Sequence, residues 1–425
     1  MNARLLLAVV ALLLAAAPAL AQTKPVAIVG ATAWPLTDGA DKIENATIVL
    51  RDGRIESVQA NGPVPADAER IDARAKVVTP SLISAATQLG LVEVLGAQET
   101  VDRAVRNSPL GAAFDVQYAL NPNSVLLRHV RADGVTRALS FPDGSGNPPF
   151  AGQAALLKLG DGPDLLDRAK VAMFVQAGGS FAKEVGGSRS AQWILLRNAL
   201  DEAKRFRDIG KSGATRDQLL NHLEAEALQP VLDGKMPLAI VAQRESDIRQ
   251  AVQLGQDYAL RVVVIGGAEA WRAASLLAAR NVPVILDPTF NLPLHFDEIG
   301  ARIDSAALLH KAGVRIAFYV PGNTLMLSYN AGTAIRDAAG MAVANGLAYV
   351  EALCAITRNP AAIWGQAERY GTLAPGREAD LVVWDGDPLE PTTNAVRVFV
   401  QGKDVSLATR QDALRDRYRT LPDAR

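Results

Sequence analysis

Cysteine occurs once in these 425 residues, and histidine four times. A lone Cys354 excludes an intramolecular disulfide framework and every zinc centre built on several thiolates. A charge excess of either sign is also missing. Lys and Arg number 44 against 45 Asp and Glu, so the formal charge is −1. No net basic field exists to draw in phosphate backbones or anionic membranes, and no nucleic-acid partner is expected. What is present is globular in character: 49% hydrophobic residues, 21% charged and 5% aromatic.

Long apolar runs are confined to the first segment. Arg4 supplies a positive n-region, residues 5–16 are uninterruptedly apolar, and Ala19-Leu20-Ala21 before Gln22 has the A-x-A form of a cleavage site. Residues 1–21 are therefore expected to be a secretory signal peptide. The run is short for a membrane span, which needs about 20 residues, and no cysteine follows it to take a lipid. A secreted or periplasmic protein with no membrane attachment after cleavage is the expectation.

The opening of the expected mature chain reads as β structure, with strands over 27–34, 46–50 and 54–58 and a hairpin turn at Asp52-Gly53. From Gly134 the rhythm changes. Apolar, β-branched runs at 135–141, 237–243, 260–267, 282–287 and 314–320 suit strands buried on both faces. Amphipathic stretches at 247–258, 270–281 and 305–313 lie between them. Strand starts at 237, 260, 282 and 314 are 23, 22 and 32 residues apart, one βα unit each. The α/β class and a closed (β/α)8 TIM-type barrel follow. Strands at 380–384 and 396–400 revert to the opening pattern, so both chain ends are expected to share a small β-sandwich domain. The expected division is 22–76 and 371–408 for that composite domain, 77–370 for the barrel, and 409–425 for a charged tail.

Two segments carry a family resemblance. Val77-Val78-Thr79-Pro80-Ser81-Leu82-Ile83-Ser84-Ala85-Ala86-Thr87-Gln88 resembles the opening barrel strand of the amidohydrolase superfamily, usually V-x-P-G-L-I-D-x-H-x-H. Residues 371–385, from Gly371-Thr372-Leu373-Ala374-Pro375-Gly376 to Asp380-Leu381-Val382-Val383-Trp384-Asp385, resemble its closing strand. With Asn121-Pro122, Gly134-Val135-Thr136, Gly152-Gln153-Ala154-Ala155 and Asn359-Pro360-Ala361, the resemblance is to the imidazolonepropionase-like branch, over nearly all of the chain beyond residue 21.

That resemblance implies metal-assisted hydrolysis of carbon–nitrogen bonds, in which divalent ions acidify water and polarise a carbonyl. Two histidines at i and i+2 on a strand face one side and can share an ion. Here Ala86 and Gln88 stand at those positions. Val241 and Gln243 replace the histidines of an H-A-H-R pattern, Gly266 replaces another, and Pro321 stands at about the place of a catalytic aspartate. The histidines that remain, His129, His222, His295 and His310, are 93, 73 and 15 residues apart, so none forms an i,i+2 or i,i+4 pair.

His129, His222 and His310 read as surface or packed helical residues. Asp287, at a strand end, and His295, on a Pro-containing loop, are the candidate acid/base couple, although Asp before Pro288 is also an ordinary turn residue. Glu93 and Glu269 are further carboxylates within sequence reach of the mouth, Glu269 being more simply a first-turn residue favoured by the helix dipole. Lys158 reads as a solvated strand-end lysine and Cys354 as a core thiol. The Gly- and Pro-rich loop 142–152 is either a lid or a plain connection.

Two functions stand against each other. One is a pseudoenzyme with no cofactor, binding a small molecule or acting as a homo- or hetero-oligomeric partner of an active relative. The other is an active hydrolase using zinc or another divalent metal through unrecognised ligands, or metal-free chemistry at Asp287 and His295. A purely structural exported protein has no feature of its own in its favour.

Overall fold

The computed structural model describes residues 24–39, 42–94, 96–106, 108–144, 149–209, 219–289, 291–320 and 328–419. The expected signal peptide and Pro321 lie outside the described residues. In chain order the strands are β1 (Val26–Ala33), β2 (Ile43–Arg51), β3 (Arg54–Ala60), β4 (Glu69–Asp72), β5 (Val77–Pro80), β6 (Leu82–Thr87), β7 (Val135–Ser140), β8 (Phe150–Lys158), β9 (Leu166–Gln176), β10 (Leu238–Ala242), β11 (Val262–Gly266), β12 (Val284–Leu286), β13 (Ile316–Phe318), β14 (Leu381–Trp384), β15 (Ala395–Val400) and β16 (Lys403–Asp404).

The first sheet joins the two chain ends in the order β16-β15-β14-β5-β1-β2-β3, with β4 also paired to β1. β14 runs antiparallel to β5, from Leu381 opposite Pro80 to Trp384 opposite Val77. The β2–β3 turn places Asp52 at φ 49° and Gly53 at φ 78°, the double positive φ that a two-residue hairpin requires. Ile28, Ile48, Ile55, Leu381 and Phe399 share one apolar cluster, so residues some 350 positions apart in sequence pack together. This burial, not local propensity, holds the composite sheet.

β6 to β13 form the second sheet, an eight-stranded and nearly closed barrel whose end strands β6 and β13 lie side by side. Helix Arg358–Ile363 packs against both at the seam. Just past it, the Trp364 indole donates to the Ala85 carbonyl at 2.9 Å. Every residue of β6, β7, β11, β12 and β13 is buried, as strands sheathed on both faces must be. Inside are Leu139, Phe174, Ile265 and Ile285, while the larger outer cluster packs the helices onto the strands.

One feature departs from the repeat of eight βα units. β8 runs antiparallel to both neighbours, β7 and β9, whereas all other barrel pairs are parallel. The physical reason is the short connection 159–165 between β8 and β9. It is long enough for a reversal but not for the dozen or more residues of a parallel crossover. Loop 142–152 accordingly ends inside a strand, since Phe150, Ala151 and Gly152 already belong to β8. The stretch 270–281 is also not one helix: Ala270–Ala273 is 3-10, with the Trp271 indole anchored to the Gly300 carbonyl at 2.8 Å, and α-helix follows at Ala274–Ala279.

The barrel floor is polar and sealed. Arg137 of β7, fully buried, donates from Nε to Asp380 at 2.7 Å and from Nη2 to Glu378 at 2.6 Å, and its Nη1 lies 2.9 Å from Asp167. Arg369 pairs with Asp167 at 2.9 Å and with Glu378 at 2.8 Å, and the Arg137 guanidinium sits 4.7 Å from the Tyr370 ring centre. Burial by itself would push the Asp167 carboxyl up, but the hydrogen bond from Arg369 and the charges of both arginines hold it below the usual carboxylate range.

Candidate functional site

The opposite end of the barrel is open. A cavity of about 600 Å³ lies where β6, β7, β9, β10, β11, β12 and β13 end, the face on which barrels of this kind carry their sites. Its apolar wall is made by Phe141, Val241, Ile265, Leu286 and Tyr319. Gln88, Gln243, Gly266, Asp287 and His295 also line it. Ala86 does not; it is buried within the barrel interior among apolar neighbours.

The polar groups of the mouth are mostly committed to one another. Gln88 Oε1 accepts from Arg103 Nη1 at 2.8 Å, and Arg103 Nε lies 3.5 Å from Asp143 Oδ2. Asp143 also accepts from the Gln176 amide at 2.8 Å. Asp297 accepts from the Gly179 backbone N–H at 2.7 Å and is paired with Arg189. Arg302 is held through both Nε and Nη2, each at 2.7 Å, by Asp304. Glu298 accepts from the backbone N–H groups of Leu294 and His295, at 3.0 and 3.3 Å.

Gln243 and Gly266 interlock. Gln243 Oε1 accepts from the Ala268 N–H at 3.0 Å. A Cβ placed on Gly266 would meet the Nε2, Oε1 and Cδ atoms of that amide at 2.5, 2.6 and 2.7 Å. Gly266 has φ +93°, a conformation that L side chains rarely adopt. The amide of one position thus occupies the space of any side chain at the other.

Asp287 differs from the other carboxylates. It accepts from Thr289 N at 2.9 Å and Thr289 Oγ1 at 2.6 Å, a local turn that follows from Asp preceding Pro288. Burial pushes its carboxyl above the ordinary range, and the two Thr289 hydrogen bonds only partly oppose this. Asp287 and His295 reach the same cavity, but no hydrogen bond joins them among the described residues. Tyr319 is buried, and its phenol is pushed well up, by burial first and then by the nearby charges of Asp287 and Glu298. Ser305, buried at 4% exposure, also lines the cavity, and its Oγ has no hydrogen-bond partner among the described residues.

Other sequence candidates fall elsewhere. Glu93 accepts from Asn121 at 2.7 Å, and Glu269 ties the Glu245 and Gly300 backbone N–H groups together at 3.0 Å each; neither lines the cavity. Distance and local hydrogen bonding, not charge, decide this. His129 stacks on Tyr329, His310 lies 3.7 Å from Glu351, and His222 opens helix His222–Ala227. Lys158 ends β8 and pairs with Asp164 at 2.5 Å. Burial of Cys354 pushes its thiol up to about 12. Asp143, Asp297, Glu298, Ser305 and Tyr319 were not legible as site residues. For Asp143 and Tyr319 the available signal was position, three residues past β7 and one past β13. Among the described residues, no group of three or more His, Cys, Asp and Glu side chains is arranged to hold a metal ion.

A barrel joined to a sheet from both chain ends, with its open cavity at the strands' C-terminal ends, places a site on the face where TIM-type barrels carry theirs. Residues 262–405 match the amidohydrolase family. The amidohydrolase tasK of Hapsidospora irregularis is 25% identical over 87% of this chain, which spans 40% of that relative's length. A crystal structure of an amidohydrolase from Thermotoga maritima MSB8 is 23% identical, covers 90% of this chain and 99% of its own, and superposes with a TM-score of 0.79. A putative prolidase from Bifidobacterium longum, 19% identical, covers 94% of this chain and 100% of its own with a TM-score of 0.54. Residues 262–405 thus carry a match to the amidohydrolase family, and over most of its length the chain has the fold of solved amidohydrolases.

Proposed function

We propose that this protein has kept the amidohydrolase scaffold and given up its metal chemistry, and that it is an exported protein binding a small molecule in the barrel mouth. The observation that carries this reading is the Gln243–Gly266 interlock. Where the resemblance implies imidazole ligands, one side chain is absent and an amide oxygen engaged by a backbone N–H fills the space. Neither residue offers the borderline-soft donor that zinc prefers. The cavity itself, about 600 Å³ with an apolar wall and convergent polar groups, is of the size and kind that encloses a small ligand.

A second reading, hydrolysis of a carbon–nitrogen bond without metal, is favoured by one observation: Asp287 is a half-buried carboxyl, pushed up in pKa, at a strand end facing the cavity. A group of that kind suits proton transfer. The names of the relatives, amidohydrolase and prolidase, favour hydrolysis of such bonds and say nothing of the metal.

One preparation tests both. The protein is purified without chelator or histidine tag, its metal content is measured before and after loading with zinc and manganese, and amides, lactams and dipeptides are offered as substrates. No stoichiometric metal and no turnover is the expected result. A tightly held ion, or turnover that depends on one, overturns the proposal. Metal-free turnover abolished by Asp287→Ala establishes the second reading instead.

A further inference from the structure

The charges around the cavity do not balance. Asp143 faces Arg103, Asp297 faces Arg189, and Arg302 is neutralised by Asp304 while its guanidinium lies 4.9 Å from the Trp271 ring centre. That leaves Asp287, whose partner is the neutral Thr289, and Glu298, whose partners are backbone N–H groups. Both line the cavity, Asp287 just past β12 and Glu298 on the 3-10 turn Phe296–Glu298. Glu298 is buried and Asp287 half-buried, and carboxylates withdrawn from water without a cation are costly, a cost that a bound cation would remove. On the same cavity, the Ser305 hydroxyl is buried and unpartnered among the described residues, an unmet hydrogen-bonding group of the kind that a ligand satisfies.

We propose that the barrel mouth binds an organic cation, a primary amine on an apolar body, with the ammonium held by Asp287 and Glu298 and the body lying on Phe141, Val241 and Ile265. An ammonium carries three donors and no acceptor, matching two acceptor-only carboxylates and a hydroxyl. A carboxylate ligand would be repelled by the same carboxylates, and a neutral alcohol would keep the apolar contacts and a single donated hydrogen bond but gain no ion pair. This assignment rests on the binding function proposed above and names its ligand class.

The test uses three probes of nearly one shape on the full chain at neutral pH, read by titration calorimetry: phenethylamine, 2-phenylethanol and 3-phenylpropionate. The amine is expected to bind about tenfold tighter than the alcohol or better, the increment of a charge-assisted hydrogen bond, and the acid weaker than both. In Asp287→Asn the preference for amine over alcohol shrinks, while an unchanged far-UV circular dichroism spectrum reports that the variant is folded. Equal binding of the three probes by the unmodified protein overturns the amine assignment and leaves the cavity as a binding site. A preference that survives in Asp287→Asn overturns it as well. Bound metal or metal-dependent turnover, measured separately, sinks the proposed function without touching the probe ranking.

Discussion

Substituting Gly266 by alanine tests the interlock directly, and its cost can be worked from the structure. The new Cβ must adopt φ near +93° at the end of β11, where an L side chain costs about 1–2 kcal/mol. It also meets the Gln243 amide at 2.5–2.7 Å, a separation that no side chain tolerates. The amide is flexible and will swing away, but the Ala268 N–H then loses its acceptor at 3.0 Å, a loss of about 1 kcal/mol or somewhat more. Gly266→Ala should therefore destabilise by about 2–4 kcal/mol, most of it local to the mouth. Gln243→Ala removes the same hydrogen bond and leaves room for the Cβ, so in the double variant that loss is counted once. A coupling of about 1–2 kcal/mol is expected, the pair costing less than the sum of the singles. Urea denaturation of the four proteins, with an unchanged m value, measures it. A cost for Gly266→Ala below about 0.5 kcal/mol, or singles that add within about 0.5 kcal/mol, would refute the reasoning.

Two further outcomes follow from buried charge. Arg137→Met leaves Asp380, Glu378 and Asp167 short of a counter-charge on the barrel floor and should cost about 3–5 kcal/mol in the same urea assay; a loss under about 1 kcal/mol would mean that water or Arg369 takes over. Asp287 acts in the opposite sense. Its folded pKa is raised, so its contribution to stability is fully present below the unfolded carboxylate pKa and is lost as pH rises through the folded value. Asp287→Asn should accordingly raise the melting temperature at neutral pH, with the gain fading below about pH 4. A melting temperature that falls at neutral pH, or a gain independent of pH, would contradict this account.

The barrel was legible because its strands are buried on both faces. The runs 237–243, 260–267, 282–287 and 314–320 contain β10, β11, β12 and β13 with only end residues trimmed. Direction was not legible at β8, since Phe-Ala-Gly-Gln-Ala-Ala-Leu-Leu-Lys is an apolar run that reads alike in either sense. Only the length of the connection to β9 distinguishes reversal from crossover. At the site, the family resemblance pointed to Ala86, Gln88, Val241, Gln243 and Gly266, and strand-end position to Asp287; all of these except Ala86 line the cavity. What sequence spacing could not supply was pairing. It suggested Asp287 with His295, whereas the chain places Thr289 on Asp287 and gives the Gln243 amide to Ala268. Such contacts are fixed by loop paths and not by periodicity.

The Arg137 floor ties together parts of the chain that are far apart in sequence. The carboxylate that meets its Nε lies 243 residues further along the chain, and β14, which follows that carboxylate, inserts between β5 and β15. Until residues 378–400 have been synthesised, a nascent barrel would hold a buried cation beside an incomplete set of acceptors, and the apolar edge of β5 would lack its partner. Both chain ends are thus needed to complete the barrel floor and to pair the edge of β5, and a chain lacking residues 378–400 would leave both unmet.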